Sequence, residues 1–415
     1  MSAHVLVVGG GMELPGLLRS TGGARTTVMC QLPIVPKLRD PTANAAVIGL
    51  PPDAPMVTWL DLATTLHAAD PFTHIASFAE RDQDRAAAIG AHLGLAMHSS
   101  RTVGWVHHKP SMRARLAETG VDDTPYALVG SVAELRGFLD RHGYPAVLKP
   151  AVGAGSIGIS RLTGADDLAT ALRHAAAESA WTRGGAMVER LHEGPQYSVE
   201  AFSENGEHEV VCVTRKYSSV RGHVEIGHVL PAPLSTQDRD AVARYVGRVL
   251  DALEISFGPT HTEIVLTADG PRLIETHTRL GGDRLPYLVH DALGVDLVTL
   301  TVRQVLGATG LLDEIRTALT DTPRRYAAIW YAGSAVGGVL ADVSVPAPVA
   351  GVVDEVVVEV APGDRVTPLD SSDSRLSYAR AHGSTADEAI RAARAAVTAV
   401  EFTVRLDTDV AQWSV

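Results

Sequence analysis

The hydrophobic pattern opens with a short apolar run, His4 to Val8, which ends in Gly9-Gly10-Gly11 and passes into a helical stretch from Leu14 to Arg19. Similar runs follow at 26–30, 46–49 and 74–77, and residues 81–93 carry helical periodicity. Strands alternating with helices predict a small open α/β domain over residues 1–100. The glycine turn reads as a plain strand-to-helix connection, because Leu14 stands where a dinucleotide fingerprint needs its third glycine.

The texture changes after Arg101. A helix is expected from His107 to Gly120, a strand over 124–129 and a helix capped by Ser131; the strand Tyr144 to Pro150 then delivers Lys149. A helix over 166–180 precedes antiparallel strands through Lys216, and a helix over 238–253 leads into a hairpin. In that hairpin Thr262 to Thr267 alternates, Ala268-Asp269-Gly270-Pro271 carries the turn signal, and Arg272 to Glu275 returns. Beyond Val305 a third pattern begins, with a strand at 326–331, an apolar stretch at 343–360 and a helix at 385–400. The expected division is therefore 1–100, 101–310 with halves at about 101–185 and 186–310, and a small α+β domain at 311–415.

The hairpin carries chemistry. Pairing its strands brings Glu263 and Glu275 together, and two adjacent carboxylates repel unless a positive charge lies between them. Mg²⁺ supplies such a charge and favours one or two carboxylates plus phosphate oxygens; Arg279, four residues on, adds a fixed fork for an anion. A second feature is the loop Gly153-Ala154-Gly155-Ser156-Ile157-Gly158, which follows Lys149 directly. Its glycines let backbone N–H groups converge, Ser156 offers a hydroxyl and Lys149 a point charge, so phosphate is the natural guest. The lysine precedes the glycines, which excludes a Walker loop.

Composition narrows the class. A formal net charge of −12 argues against nucleic acid or anionic membrane as partner, leaving small anionic ligands held by local positive charge. No run of 18 uncharged apolar residues and no charged n-region is present, so a cytoplasmic location is the expectation. Cys30 and Cys212 lack metal-ligand spacing and read as buried thiols. Only Lys37, Lys109, Lys149 and Lys216 contribute lysine to the 36 basic residues, so each is a candidate for a specific role.

The order of these features, a lysine heading a helix, a strand ending in Lys149-Pro150, the glycine loop, a strand ending in Glu189, then Glu263 and Glu275-x-His277-x-Arg279, resembles the ATP-grasp superfamily. Within it, Gly227-His228-Val-Leu-Pro231, His261-Thr262-Glu263 and Ile274 to Asp283 resemble the L-amino-acid ligases. The resemblance implies that Lys109 and Lys149 contact ATP, that Gly153, Gly155, Ser156 and Gly158 cover its phosphates, and that Glu189 and the main chain near Leu191 meet the adenine edge. It makes Glu263 and Glu275 Mg²⁺ ligands, with Mn²⁺ as a substitute, and has Arg279 steady a phosphorylated intermediate. Gln196 stands where the family often has a ribose-binding glutamate, and His277 where many members have a metal-binding asparagine, so His277 is read as facing either metal or substrate. By the same analogy His228, beside Glu225, faces the cleft and positions the amine or takes its proton.

The implied activity is ATP-dependent carboxylate–amine ligation through an acyl phosphate. The alternatives are a biotin-carboxylase-like or purine-pathway enzyme of the same superfamily, or a non-catalytic nucleotide-binding protein. A homodimer is the base-rate expectation.

Overall fold

A computed structural model describes the chain except for residues 1, 12, 154, 156, 165–166, 180–181, 220–223, 323–324, 348–350 and 407–415. The first unit is a four-stranded parallel sheet of β1 (His4–Val8), β2 (Arg25–Gln31), β3 (Ala46–Leu50) and β4 (His74–Ala76) in the order β3-β2-β1-β4. All five residues of β1 are buried, as expected of a strand covered on both faces. The helix Met56–Ala69, which the apolar pattern did not bring out, covers one face with Trp59 and Ala63. Gly9 sits at φ +93°, and a Cβ there would lie 2.7 Å from Oδ2 of Asp82, so the glycine turn serves close packing.

The helix expected over 107–120 is two helices, Ser100–His107 and Lys109–Glu118. His108 is extended and its side chain caps the second helix by accepting the Ser111 N–H; Pro110, which has no N–H to continue a helix running in from His107, occupies the first turn. Lys109 consequently stands at a helix start. The helix expected over 166–180 is described as Leu168–Ala176, capped by Asp167. A four-stranded sheet follows: β5 (Tyr126–Val129), β6 (Ala146–Gly153), β7 (Ser160–Leu162) and β8 (Thr182–Arg190), in the order β5-β8-β6-β7.

The largest sheet gathers β9 (Gln196–Glu204), β10 (Glu207–Ser218), β11 (Glu225–Leu230), β12 (Gly258–Thr267), β13 (Gly270–His277) and β14 (Tyr326–Gly333). The C-terminal region adds β15 (Gly338–Ser344), β16 (Val353–Val358), β17 (Arg365–Val366), β18 (Arg375–Gly383) and β19 (Glu401–Leu406). The order in the large sheet is β13-β12-β9-β10-β11-β14-β18-β16, while β17-β15-β19 form a separate sheet. Residues beyond 311 therefore do not stand apart: three of their strands extend the sheet that carries the glutamate hairpin.

Apolar packing fixes the hairpin from behind. Val242, Val246, Val249 and Leu250 of the helix Thr236–Ala252 bury against Val199, Val213, Ile264 and Leu273. Each such side chain contributes roughly 1.5–3 kcal/mol on leaving water. Among the described residues no single helix is long and apolar enough to cross a membrane.

Candidate active site

A bulge between Glu263 and Ile264 offsets the hairpin register by one residue beside the site. His261 faces His277, Thr262 faces Thr276 and Glu263 faces Glu275. Because successive side chains alternate between faces, both histidines and both glutamates share one face, while the threonine hydroxyls meet at 2.8 Å on the other.

Each glutamate has its own cations. Lys216 Nζ lies 2.7 Å from Glu263 and also contacts Glu225, and His261 joins Glu263 (3.4 Å) to Glu200 (2.8 Å). Lys109 Nζ lies 3.2 Å from Glu275 and donates to the Gly153 carbonyl at 2.8 Å, tying the carboxylate to the base of the glycine loop. His277 Nε2 is 3.2 Å from Glu275. Burial pushes both carboxyls upward, but Lys216 and His261 at Glu263, and Lys109 and His277 at Glu275, outweigh it, so both are held below the usual carboxylate range. Burial likewise lowers His261, yet Glu200 and Glu263 carry it up to about 10.

A second buried group closes the far wall. Lys149 Nζ is 2.6 Å from Glu189, and Arg113 reaches Glu189 at 2.9 Å, Asp122 at 3.6 Å and the Leu273 carbonyl at 2.6 Å. Burial lowers the Lys149 pKa against the pull of Glu189. Two cations face two carboxylates here, the balance that a buried ionic group requires.

Between these groups lies a cavity of about 460 Å³, lined by Lys109, Lys149, Gly153, Glu189, Leu191, Gln196, Glu225, Glu263 and Glu275, among others. Eight sequence-derived candidates thus meet in one space. The Leu191 N–H is engaged with the Pro145 carbonyl at 3.1 Å. Gly158, at φ +76°, packs against Pro150, where a Cβ would come within 2.8 Å. Gly155 is left-handed too, and Ser156 lies outside the described residues.

Three candidates stand behind these walls. His277 and Arg279 lie on the side of Glu275 toward the N-terminal unit, where Glu80 accepts from Arg279 at 2.9 Å and lies 3.3 Å from His277. His228, expected to face the cleft, is 1% exposed behind Glu225; its Nε2 is 2.8 Å from Asp283 and 3.5 Å from Glu225. Its cross-strand partner is Lys216, so it shares the face of that lysine and is covered there by Glu225 and Asp283.

Sequence patterns did not disclose Glu80, Arg113 or Glu200. Lys216 had a signal in the scarcity of lysine, and Glu225 one in its spacing to His228.

The carboxylate pair suits a divalent cation: two ionised, facing oxygen donors on rigid strands, beside lysines suited to phosphate. An ATP-grasp domain profile matches residues 142–286, and an L-amino acid ligase C-terminal domain profile matches residues 334–405. Residues 142–286 are thus an ATP-grasp domain.

Relatives of this ATP-grasp protein include an uncharacterized protein of Sinorhizobium fredii, 32% identical over 220 residues, covering 52% of this chain and 45% of the relative. Dapdiamide A synthase of Enterobacter agglomerans is 26% identical over 234 residues, 54% of each chain. The L-arginine-specific L-amino acid ligase of Bacillus subtilis is 20% identical over 232 residues, 55% of this chain and 56% of that one. The chain thus spans about half the length of these curated relatives. In fold it matches the L-amino acid ligase from Bacillus licheniformis at a TM-score of 0.81 and 20% identity, covering 97% of this chain and 99% of that one. The biotin carboxylase domain of Hydrogenobacter thermophilus 2-oxoglutarate carboxylase, crystallised with MgADP, matches at 0.71 and 17% identity over 97% of this chain and 91% of that one.

Proposed function

We propose that this protein is an ATP-dependent carboxylate–amine ligase that joins amino acids or related small molecules through an acyl phosphate. The observation that carries the reading is the register pair Glu263–Glu275 opening on the same cavity as Lys109 and Lys149. ATP is the nucleotide, with Glu263 and Glu275 holding its Mg²⁺. The bound ion would supply neutralising charge for the terminal phosphates.

The chain's own groups account for the remainder. Lys109 holds phosphate oxygens at the base of the glycine loop, and Lys149 holds the nucleotide from the opposite wall. A substrate carboxylate attacks the γ-phosphorus in line, breaking the bond to ADP and forming an acyl phosphate. Attack by the amine nitrogen then expels inorganic phosphate, and the nitrogen's proton leaves as the amide forms. Arg279, fixed by Glu80, offers its guanidinium to the acyl phosphate oxygens, and His228 positions the amine side. The L-amino acid ligase C-terminal domain at 334–405 supports this reading over a biotin-carboxylase-like one.

The test is ADP release across pairs of amino acids, with mass spectrometry of products. One amide per ADP, dependent on both partners, is expected. Release that needs bicarbonate and no amine would overturn the reading.

A further inference from the structure

The face that carries the two candidate metal carboxylates continues onto the next strand. In the pairing of β12 with β9, Ser198 stands opposite Glu263 and Glu200 opposite His261. Residues opposite one another across a ladder share a face, so Glu200 belongs to the same surface as Glu263 and Glu275. Glu200 is 2% exposed and is not one of the residues that line the nucleotide cavity. A carboxylate buried this deeply persists only where its oxygens are engaged.

Its engagement leads to the metal pair. Glu200 Oε1 accepts from Ser198 Oγ at 3.1 Å and from His261 Nδ1 at 2.8 Å, and the other ring nitrogen, Nε2, lies 3.4 Å from Glu263 Oε1. The imidazole is thus strung between a buried carboxylate and a carboxylate of the metal pair. Lys216 approaches the same oxygen of Glu263, so both closest contacts orient that group from one side.

The ring has little room to turn. The loop after Arg279 passes over it, where a Cβ on Gly281 would lie 2.7 Å from Glu200 Oε2 and 2.9 Å from His261 Nδ1. On the neighbouring strand the His277 ring lies nearly parallel, with centroids 6.3 Å apart. Packing confines the imidazole, and the bond to Glu200 fixes which nitrogen faces Glu263. The other glutamate has a looser version of this arrangement. His277 stands to Glu275 as His261 does to Glu263, but the carboxylate behind it, Glu80, also accepts two bonds from Arg279. A glutamate must order its side-chain torsions to present oxygens to an ion, and an outer layer of hydrogen bonds sets them before the ion arrives.

We infer that Glu200 is a positioning residue for the divalent ion: acting through His261, it orients Glu263 for coordination without touching the ion or the nucleotide. This inference rests on the reading of Glu263 as a metal ligand and deepens it, placing part of the metal site's construction outside the cavity.

The experiment, on the full chain, is Mn²⁺ titration by electron paramagnetic resonance at saturating ADP, paired with calorimetric titration of ADP in EDTA. Glu200→Gln keeps the shape and removes the charge. It should weaken ADP-dependent Mn²⁺ binding by about 10-fold or more while metal-free ADP affinity stays within about 3-fold. His261→Gln should show a similar loss, and the double variant should fall no more than about 2-fold below His261→Gln, because the two residues act in one chain. Should Glu200→Gln fail to fold, Gly281→Ala reads the same contact, since its methyl group crowds Glu200 away from His261, and it should weaken Mn²⁺ binding likewise. Undiminished Mn²⁺ binding in either variant, a matching loss of metal-free ADP affinity, or additive losses in the double variant would each overturn the inference and leave the metal reading standing. Wild type that binds no Mn²⁺ with ADP would sink both.

Discussion

Arg279 directs both Nε and Nη2 at one oxygen of Glu80, at 2.9 and 2.8 Å, across 199 residues of sequence. Its Nη1 donates to the Leu280 carbonyl at 2.9 Å. The N-terminal unit therefore sets where this guanidinium points. Removing the charge in Glu80→Gln should lower kcat/KM for ADP release by about 10–100-fold while leaving MgADP affinity within about 3-fold. Steady-state kinetics with calorimetric MgADP titration checks the split.

Arg113 is the buried centre of the far wall. Arg113→Met would leave Asp122 facing no cation and remove the bond to the Leu273 carbonyl beside the hairpin glutamate. Breaking one side of such a group costs about 3–5 kcal/mol, read by chemical denaturation. The same change should weaken nucleotide binding, because Glu189 then has only Lys149.

His261 makes a pH prediction. Its pKa rises from 6.5 unfolded to about 10 folded, so its stabilising contribution is complete below pH 6.5 and is lost as pH rises toward 10. The metal-free protein should melt at falling temperature across that window, and His261→Gln should flatten the slope. An unchanged slope would contradict the assigned pairing with Glu200 and Glu263.

Much of the nucleotide cavity was legible because its signals are local. A period of two and the Asp269-Gly270 turn fix the hairpin, but continued from Thr267 opposite Gly270 they would set Glu263 against Ile274; a bulge between Glu263 and Ile264, which no local signal marks, brings it opposite Glu275. Lys149 and Gly153 share one strand, and Lys109 marks a helix start. Other partners have no local signature. Glu80 meets Arg279, and Arg375 meets Asp283 across 92 residues, only because three separate units pack together. His228 shows the limit in the other direction: its spacing to Glu225 is visible, but its cover by Asp283, 55 residues away, is not. The helix break at His108 has its local signal in Pro110, which only a first helical turn tolerates.

The central claim is that Glu263 and Glu275 jointly hold the divalent ion of a nucleotide. Mn²⁺ titration followed by electron paramagnetic resonance, with and without ADP, tests it most directly. Wild type should bind Mn²⁺ tightly only with ADP present, and Glu263→Gln and Glu275→Gln should each weaken that binding by about 100-fold or more. Undiminished ADP-dependent Mn²⁺ binding in either variant would contradict the account.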